Sequence, residues 1–259
     1  MILCSTVYQT LLDIIRKDKR GLSLSVEEFN SIAPIVNELL FAKYYAEFES
    51  TQENSEIMSA FKVINESIAV GAGGIASLPA NYYEMVGMPH YTDLDGVERY
   101  LDMVSSLEHA KREQDYLTKA SLTYPTFRFG IATTVSPMTL YVTPTTGINP
   151  VIIDYIRTPY VPYLDYFIND VTYERTWLTN VVVAMPLGYT APEVVKDGVT
   201  LRALTTGAAN ITGYTVDLEW NQSDVPMFIS LFLQQIGISL PDPTLYEGGT
   251  LQAKQIDEA

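Results

Sequence analysis

Cysteine and histidine are almost missing from this chain. Among 259 residues there are one cysteine and two histidines. Cys4 alone can close no intramolecular disulfide and build no cysteine-based metal site, which fits a reducing compartment. His90 and His109 lack the HxxxH or HExxH spacing of a metal-binding helix. Glu108-His109 reads as a surface pair on a polar helix. The nucleophile elbow GxSxG is absent as well. No run approaches the roughly eighteen apolar residues that a membrane span needs. Met1-Ile2-Leu3-Cys4 is too short for the apolar core of a secretory signal, and no basic residue precedes it. A soluble protein made in the cytoplasm is therefore expected. Asn65-Glu66-Ser67, Asn210-Ile211-Thr212 and Asn221-Gln222-Ser223 then match the glycosylation sequon by chance.

Charge is scarce and one-sided. Charged residues make up 18% of the chain, and 31 acidic against 16 basic residues leave a net charge of −15. Such a surface repels nucleic acid and has no basic stripe to track phosphates. A plain acidic, soluble surface accounts for it; so does a lining over which DNA must not stick. What the chain has in excess is apolar and aromatic. Hydrophobic residues reach 47%, which excludes wholesale disorder. The length allows one or two domains with a sizeable core. Eighteen tyrosines offer rigid area with a polar tip, suited to interfaces as well as cores.

The centre of the pattern is the stretch 138–159. Leu140-Tyr141-Val142-Thr143-Pro144 and Val151-Ile152-Ile153-Asp154-Tyr155-Ile156-Arg157 are β-type runs. The Gly147- and Asn149-Pro150-containing link between them suggests a hairpin. Ahead of it the sequence reads as mostly helical. Val7, Leu11, Ile14 and Ile15 recur at helical spacing over 6–17. Ser25 and Glu28 form a capping box that opens a long helix to about residue 49. Its face is Phe29, Ile32, Val36, Leu39, Leu40, Tyr44 and Phe48, and Pro34 should kink it unless it starts later. A third helix is expected over 56–68. Residues 97–119 suit either a partly helical segment or a strand followed by a polar helix.

Behind the centre, strands dominate. Residues 127–132, 171–178 and 181–185 read as strands, and Asp197-Gly198 between two β-type runs is a strong hairpin signal. Tyr214, Val216, Leu218 and Trp220 alternate on one face. The arm Tyr160-Val161-Pro162-Tyr163-Leu164-Asp165-Tyr166 is excluded from a central strand by its prolines, and lies on its own domain or on a neighbour. Ser223 or Asp224 can cap a last helix that Gly237 ends; that helix is apolar almost all round and should be deeply buried. Residues 241–259 read as an extended polar tail.

Three stretches could carry chemistry. Val70-Gly71-Ala72-Gly73-Gly74 lacks the Lys-Ser/Thr of a phosphate loop and the full GxGxxG spacing, so a flexible connector is the better reading. Asp93-Leu94-Asp95-Gly96 has Tyr91 and Asp102 where a calcium loop needs Asp and Glu, and reads as a turn. Asp154, Asp165, Asp170 and Glu174 are neighbours in sequence and could be paired carboxylates of a hydrolase, although spacing along a chain does not set distance in space.

Gly21-Leu22-Ser23-Leu24-Ser25-Val26-Glu27-Glu28-Phe29-Asn30, opening a long helix rich in Tyr and Phe, resembles the N-terminal region of head-to-tail connector (adaptor or ring) proteins of tailed bacteriophages. The short-tailed crAss-like group is the nearest likeness. Ser77–Tyr83, Tyr124-Pro125-Thr126, Leu140–Pro144, Val151–Pro159, the strand to Glu219-Trp220 and the final helix follow in matching order. The Gly71–Gly74 loop and the acidic tail depart from the pattern.

The resemblance implies an α+β fold in which N- and C-terminal helices form a bundle with an inserted antiparallel β-domain. Its parts fall at 1–120 (helical), 121–220 (β-rich), 221–240 (returning helix) and 241–259 (extended tail). It implies a virion structural protein and no enzyme, with no catalytic residues, cofactor or metal. About twelve copies in a ring would bridge the portal protein and neighbouring tail-ring proteins while genome DNA passes through unbound. Its place is the virion, at the portal vertex. The candidate subunit interface is Tyr160, Tyr163 and Tyr166 in the arm with Leu245, Tyr246 and Leu251 in the tail. A minor capsid or decoration protein and a carboxylate hydrolase are the alternatives.

Overall fold

The computed structural model describes residues 2–17, 23–48, 52–115, 117–131, 138–196 and 198–237. The chain is mixed α+β with predominantly antiparallel strands. It divides into two compact units, a split unit of residues 1–60 with 159–259 and an inserted unit of residues 61–158.

The split unit begins with three helices, α1 (Cys4–Lys17), α2 (Val26–Ala46) and α3 (Gln52–Met58). The helical stripe of α1 buries Val7, Tyr8, Leu11 and Ile15. The capping box of α2 is formed as its sequence predicts. The Glu28 N–H donates to Ser25 Oγ at 3.1 Å and the Ser25 N–H donates to Glu28 Oε2 at 2.8 Å. The helix then runs from Val26 to Ala46 with Pro34 inside it. A proline there forfeits one backbone hydrogen bond, and buried Phe29, Ala33, Val36 and Leu40 on either side hold the helix together.

The inserted unit holds β1 (Lys62–Ile68), β2 (Ile75–Ser77), β3 (Tyr82–Met85), β4 (His90–Thr92), β5 (Glu98–Tyr100), β6 (Asp102–Met103), α4 (Ser106–Gln114), β7 (Thr126–Ile131), β8 (Met138–Thr143) and β9 (Val151–Arg157). One sheet runs β1-β9-β4-β5, with β3 also on β9; the other runs β2-β8-β7-β6. β9 is the hub, since Ile156 faces Lys62 of β1 and Glu84 of β3. Its alternate residues Val151, Ile153 and Tyr155 share a core with Leu140 and Val142 of β8 and Phe127 of β7.

This arrangement corrects two sequence expectations. The runs at 140–144 and 151–157 are strands, but they do not pair with each other. β8 pairs with β2 and β7, and β9 with β1, β3 and β4. Pro144 and Pro150, at the two ends of the link, lack the N–H groups that hairpin rungs beside it would need. The helix expected over 56–68 ends at Met58, and Lys62–Ile68 is strand β1. Phe61 and Ile64 fit a helical spacing, but pairing with β9 decides the backbone; a bulge between Val63 and Glu66, with Asn65 at φ 58°, absorbs the irregular pattern.

Residues 97–119 take the strand-then-polar-helix form, with no buried residue in α4. The Gly71–Gly74 stretch is a packed turn under β8. Gly74 has φ +74°, and a Cβ there would lie 2.2 Å from the Val142 carbonyl oxygen, so only glycine fits.

The split unit resumes with β10 (Tyr166–Asn169), β11 (Arg175–Trp177), β12 (Val182–Met185), β13 (Tyr189–Ala191), β14 (Val194–Lys196), β15 (Val199–Arg202), β16 (Thr205–Thr206), β17 (Ala209–Thr212) and α5 (Val225–Gln235). A sheet of order β11-β10-β13-β16 and the ribbon β12–β17 enclose Phe167, Leu178, Met185, Ala191 and Ile211. β14–β15 is the hairpin that Asp197-Gly198 predicts, although Asp197 itself lies outside the described residues. The strand expected over 171–178 shrinks to β11. Residues 169–174 turn instead, with Asn169 Oδ1 accepting the N–H groups of Val171 and Thr172.

The alternating run 214–220 is extended but joins no sheet. It makes single bridges from Val216 to Tyr163 in the arm and from Leu218 to Ile2 just ahead of α1. Leu218 and Trp220 are nevertheless buried, as their alternation predicts. α5 buries Phe228, Ile229, Phe232 and Leu233, a single face rather than the whole circumference. Phe232 stacks on Phe29 of α2 with centroids 5.5 Å apart. Among the described residues no helix is long and apolar enough to cross a membrane.

Candidate functional site

The Tyr- and Pro-rich arm, residues 159–166, lies on its own unit, and α2 holds it by the backbone. Asn30 grips Leu164 by both of its main-chain polar groups: its Nδ2 donates to the Leu164 carbonyl at 2.9 Å and its Oδ1 accepts the Leu164 N–H at 2.8 Å. Seven residues along the same helix, Asn37 Nδ2 donates to the Tyr160 carbonyl at 3.1 Å. Two turns of helix span that interval, so both amides fall on one face. Asn37 is buried, and its Oδ1 accepts the Trp220 indole N–H at 2.7 Å. The other edge of the arm pairs with 214–220 through Tyr163 and Val216.

The three arm tyrosines have separate surroundings. Tyr160 is 57% exposed, and its N–H donates to Glu219 Oε2 at 2.8 Å. Tyr163 is half-buried; burial, then the Asp165 charge, pushes its hydroxyl pKa up. Tyr166 is half-buried and donates to Glu27 Oε1 at 2.6 Å. Burial, then that bond to a carboxylate, pushes its hydroxyl up to about 12. Burial opposes ionisation of Glu27, but the Tyr166 hydroxyl and its own backbone hydrogen bond hold its carboxyl below the usual range. Leu245, Tyr246 and Leu251, the tail members of the sequence-derived interface, lie outside the described residues.

At the end of the arm sits an ion pair that sequence reasoning did not connect. Arg202 Nη1 and Nη2 each donate to one Asp165 oxygen at 2.7 Å. The side chains are 7% and 2% exposed. Asp165 also accepts the N–H groups of Tyr166 and Tyr214, and Arg202 also donates to the carbonyls of Pro192 and Thr212. This pair joins the arm to the β14–β15 hairpin. Its visible trace is that Lys196 and Arg202 are the sole cations between residues 176 and 224.

The four carboxylates that sequence puts together have different tasks. Asp165 holds Arg202. Asp154, in the inserted unit, accepts the Asn65 N–H at 2.8 Å. Asp170 and Glu174 belong to the exposed turn after β10. Asp93 ties its own turn between β4 and β5, accepting from the backbone of Asp95 and Val97 and from Arg99 Nε at 3.0 Å. Among the described residues, no three His, Cys, Asp or Glu side chains are grouped to hold a metal ion.

The inserted unit carries an open cleft of ≈ 270 Å³. Phe127, Phe129 and Leu101 line it together with Met85, Met88 and Met103, and Glu84 contributes a charge. Met88 and Met103 are exposed, so the cleft offers a flexible, polarizable apolar lip to solvent. No protein-family model matches this chain, and no curated protein matches it.

Proposed function

We propose that this chain is a virion structural protein, a subunit of a head-to-tail connector or tail ring of a tailed bacteriophage. The ordered resemblance of its segments to such adaptors motivates the reading. The observation that carries it is the stacking of Phe232 on Phe29, which brings helices from both ends of the chain into one unit while a β unit interrupts the sequence between them. In this reading α1, α2 and α5 are the helical bundle. The net charge of −15 suits a ring around a DNA channel, because like-charge repulsion lets the genome slide without adhering. The partners are further copies of the chain, the portal protein and adjoining tail rings. The arm tyrosines and the tail residues Leu245, Tyr246 and Leu251 contribute to contacts between copies.

Quantitative mass spectrometry on purified particles tests this. About a dozen copies per particle is the expected result for a closed ring at one vertex. Hundreds of copies would replace the reading with a capsid or decoration protein, and absence from particles would end it.

A further inference from the structure

The β14–β15 hairpin exposes its outer part, while the Tyr214 hydroxyl donates to the Leu201 carbonyl at 3.0 Å near its base. Val194 and Arg202 are buried, yet every described residue between them is exposed. Among the described residues no third strand joins the ribbon. Val195 is 51% exposed, Val199 60% and Leu201 39%. A two-stranded ribbon is marginal in water by itself. This one is anchored at its base, where Arg202 is locked to Asp165 and to the Pro192 and Thr212 carbonyls. In the register of the ribbon Lys196 lies opposite Val199 and Val195 opposite Thr200, so Val199 and Lys196 share one face and Val195 is on the other. The anchored base thus holds an aliphatic side chain and a cation side by side in solvent.

Charge narrows the partner. The 41 residues from 176 to 216 contain four charged side chains, Glu193, Lys196, Asp197 and Arg202, two of each sign. The remainder of the chain therefore carries the whole net charge of −15. Copies of so acidic a chain repel one another over most of their surface, and a stretch of balanced charge is where they can approach. The cleft of the inserted unit supplies the complement. It is concave and apolar where the hairpin offers exposed Val199, and exposed Glu84 at the cleft is opposite in sign to exposed Lys196 on the hairpin.

We propose that the β14–β15 hairpin of one copy docks its Lys196 and Val199 face in the methionine-lipped cleft of a second copy, with Lys196 facing Glu84. The two surfaces are different patches of the same chain, so the contact is head-to-tail and repeats from copy to copy until a ring closes. The inference rests on the connector reading for that closure, and the pairwise contact is tested separately.

The test mixes two full-length variants, Leu201→Cys on a size-tagged chain and Met103→Cys on an untagged chain, with a short bismaleimide. Both sites are exposed and the native Cys4 is buried, so the product that joins the two chains reports a contact between copies. The expected result is a tagged–untagged crosslink. Lys196→Glu should lower its yield about tenfold, the equivalent of about 1.4 kcal/mol, and Glu84→Lys in the partner should restore it. No mixed crosslink at high protein concentration, or a crosslink indifferent to both charge changes, overturns the inference. Failure here with a dozen copies per particle leaves the connector reading in place and removes this contact; a charge-dependent crosslink with no copies in particles does the reverse.

Discussion

Arg202 and Asp165 meet side by side, two hydrogen bonds of 2.7 Å between side chains that are 7% and 2% exposed. Bidentate geometry of this kind recovers part of the cost of burying both charges, and removal of one partner leaves the other charge stranded. Asp165→Asn is therefore expected to destabilise the split unit by about 3–5 kcal/mol. Arg202→Met should cost a similar amount. The double variant should cost less than the two single losses added, because no lone charge remains buried. Urea unfolding of the four proteins checks the cycle; strict additivity would contradict the pairing.

Asn37 joins the arm to Trp220. Asn37→Leu keeps the bulk but takes away the acceptor 2.7 Å from the indole N–H and the donor to the Tyr160 carbonyl. A loss of about 1–3 kcal/mol is expected, together with faster amide exchange along residues 159–166. Hydrogen exchange with mass spectrometry reads the second effect. Exchange that stays as slow as in the parent would show that Asn30 and Val216 suffice to hold the arm.

The Tyr166–Glu27 bond gives stability a pH dependence at both ends. The Tyr166 hydroxyl is raised from 10.0 to about 12, so its contribution is complete below pH 10 and is lost as pH rises towards about 12. The Glu27 carboxyl is lowered from 4.5, so its contribution is present above that value and is lost as pH falls through its folded value. Glu27 lies on an exposed helical face, which keeps the acid-side effect to a few tenths of a kcal/mol. In Tyr166→Phe both limbs of the stability profile should flatten, and one late-titrating phenol should vanish from the alkaline absorbance curve. An unchanged curve would refute the assignment.

Features with local causes were legible in the sequence. The Ser25–Glu28 box set the start of α2, and Asp197-Gly198 marked the β14–β15 turn. Features decided by distant partners were not. The run at 140–144 and the run at 151–157 look like each other's neighbours, and nothing local shows that β2, β7, β1, β3 and β4 take those edges instead. Residues 62–68 follow the pairing preference of β9 over their own spacing. The Asp165–Arg202 pair is separated by 37 residues and was visible only as an isolated cation in a neutral stretch. Asn30 and Asn37 left a fainter trace, two amides seven apart beside an apolar stripe.

α2 takes hold of the arm through main-chain atoms, the Leu164 amide and carbonyl and the Tyr160 carbonyl. Those atoms are the same whichever amino acid supplies them. The helix therefore places no demand on the identity of the residue at 161, which is exposed. That position can change in step with whatever surface it meets, while Asn30 and Asn37 stay put. Variation across relatives should concentrate at 161 and spare the two amides beneath the arm.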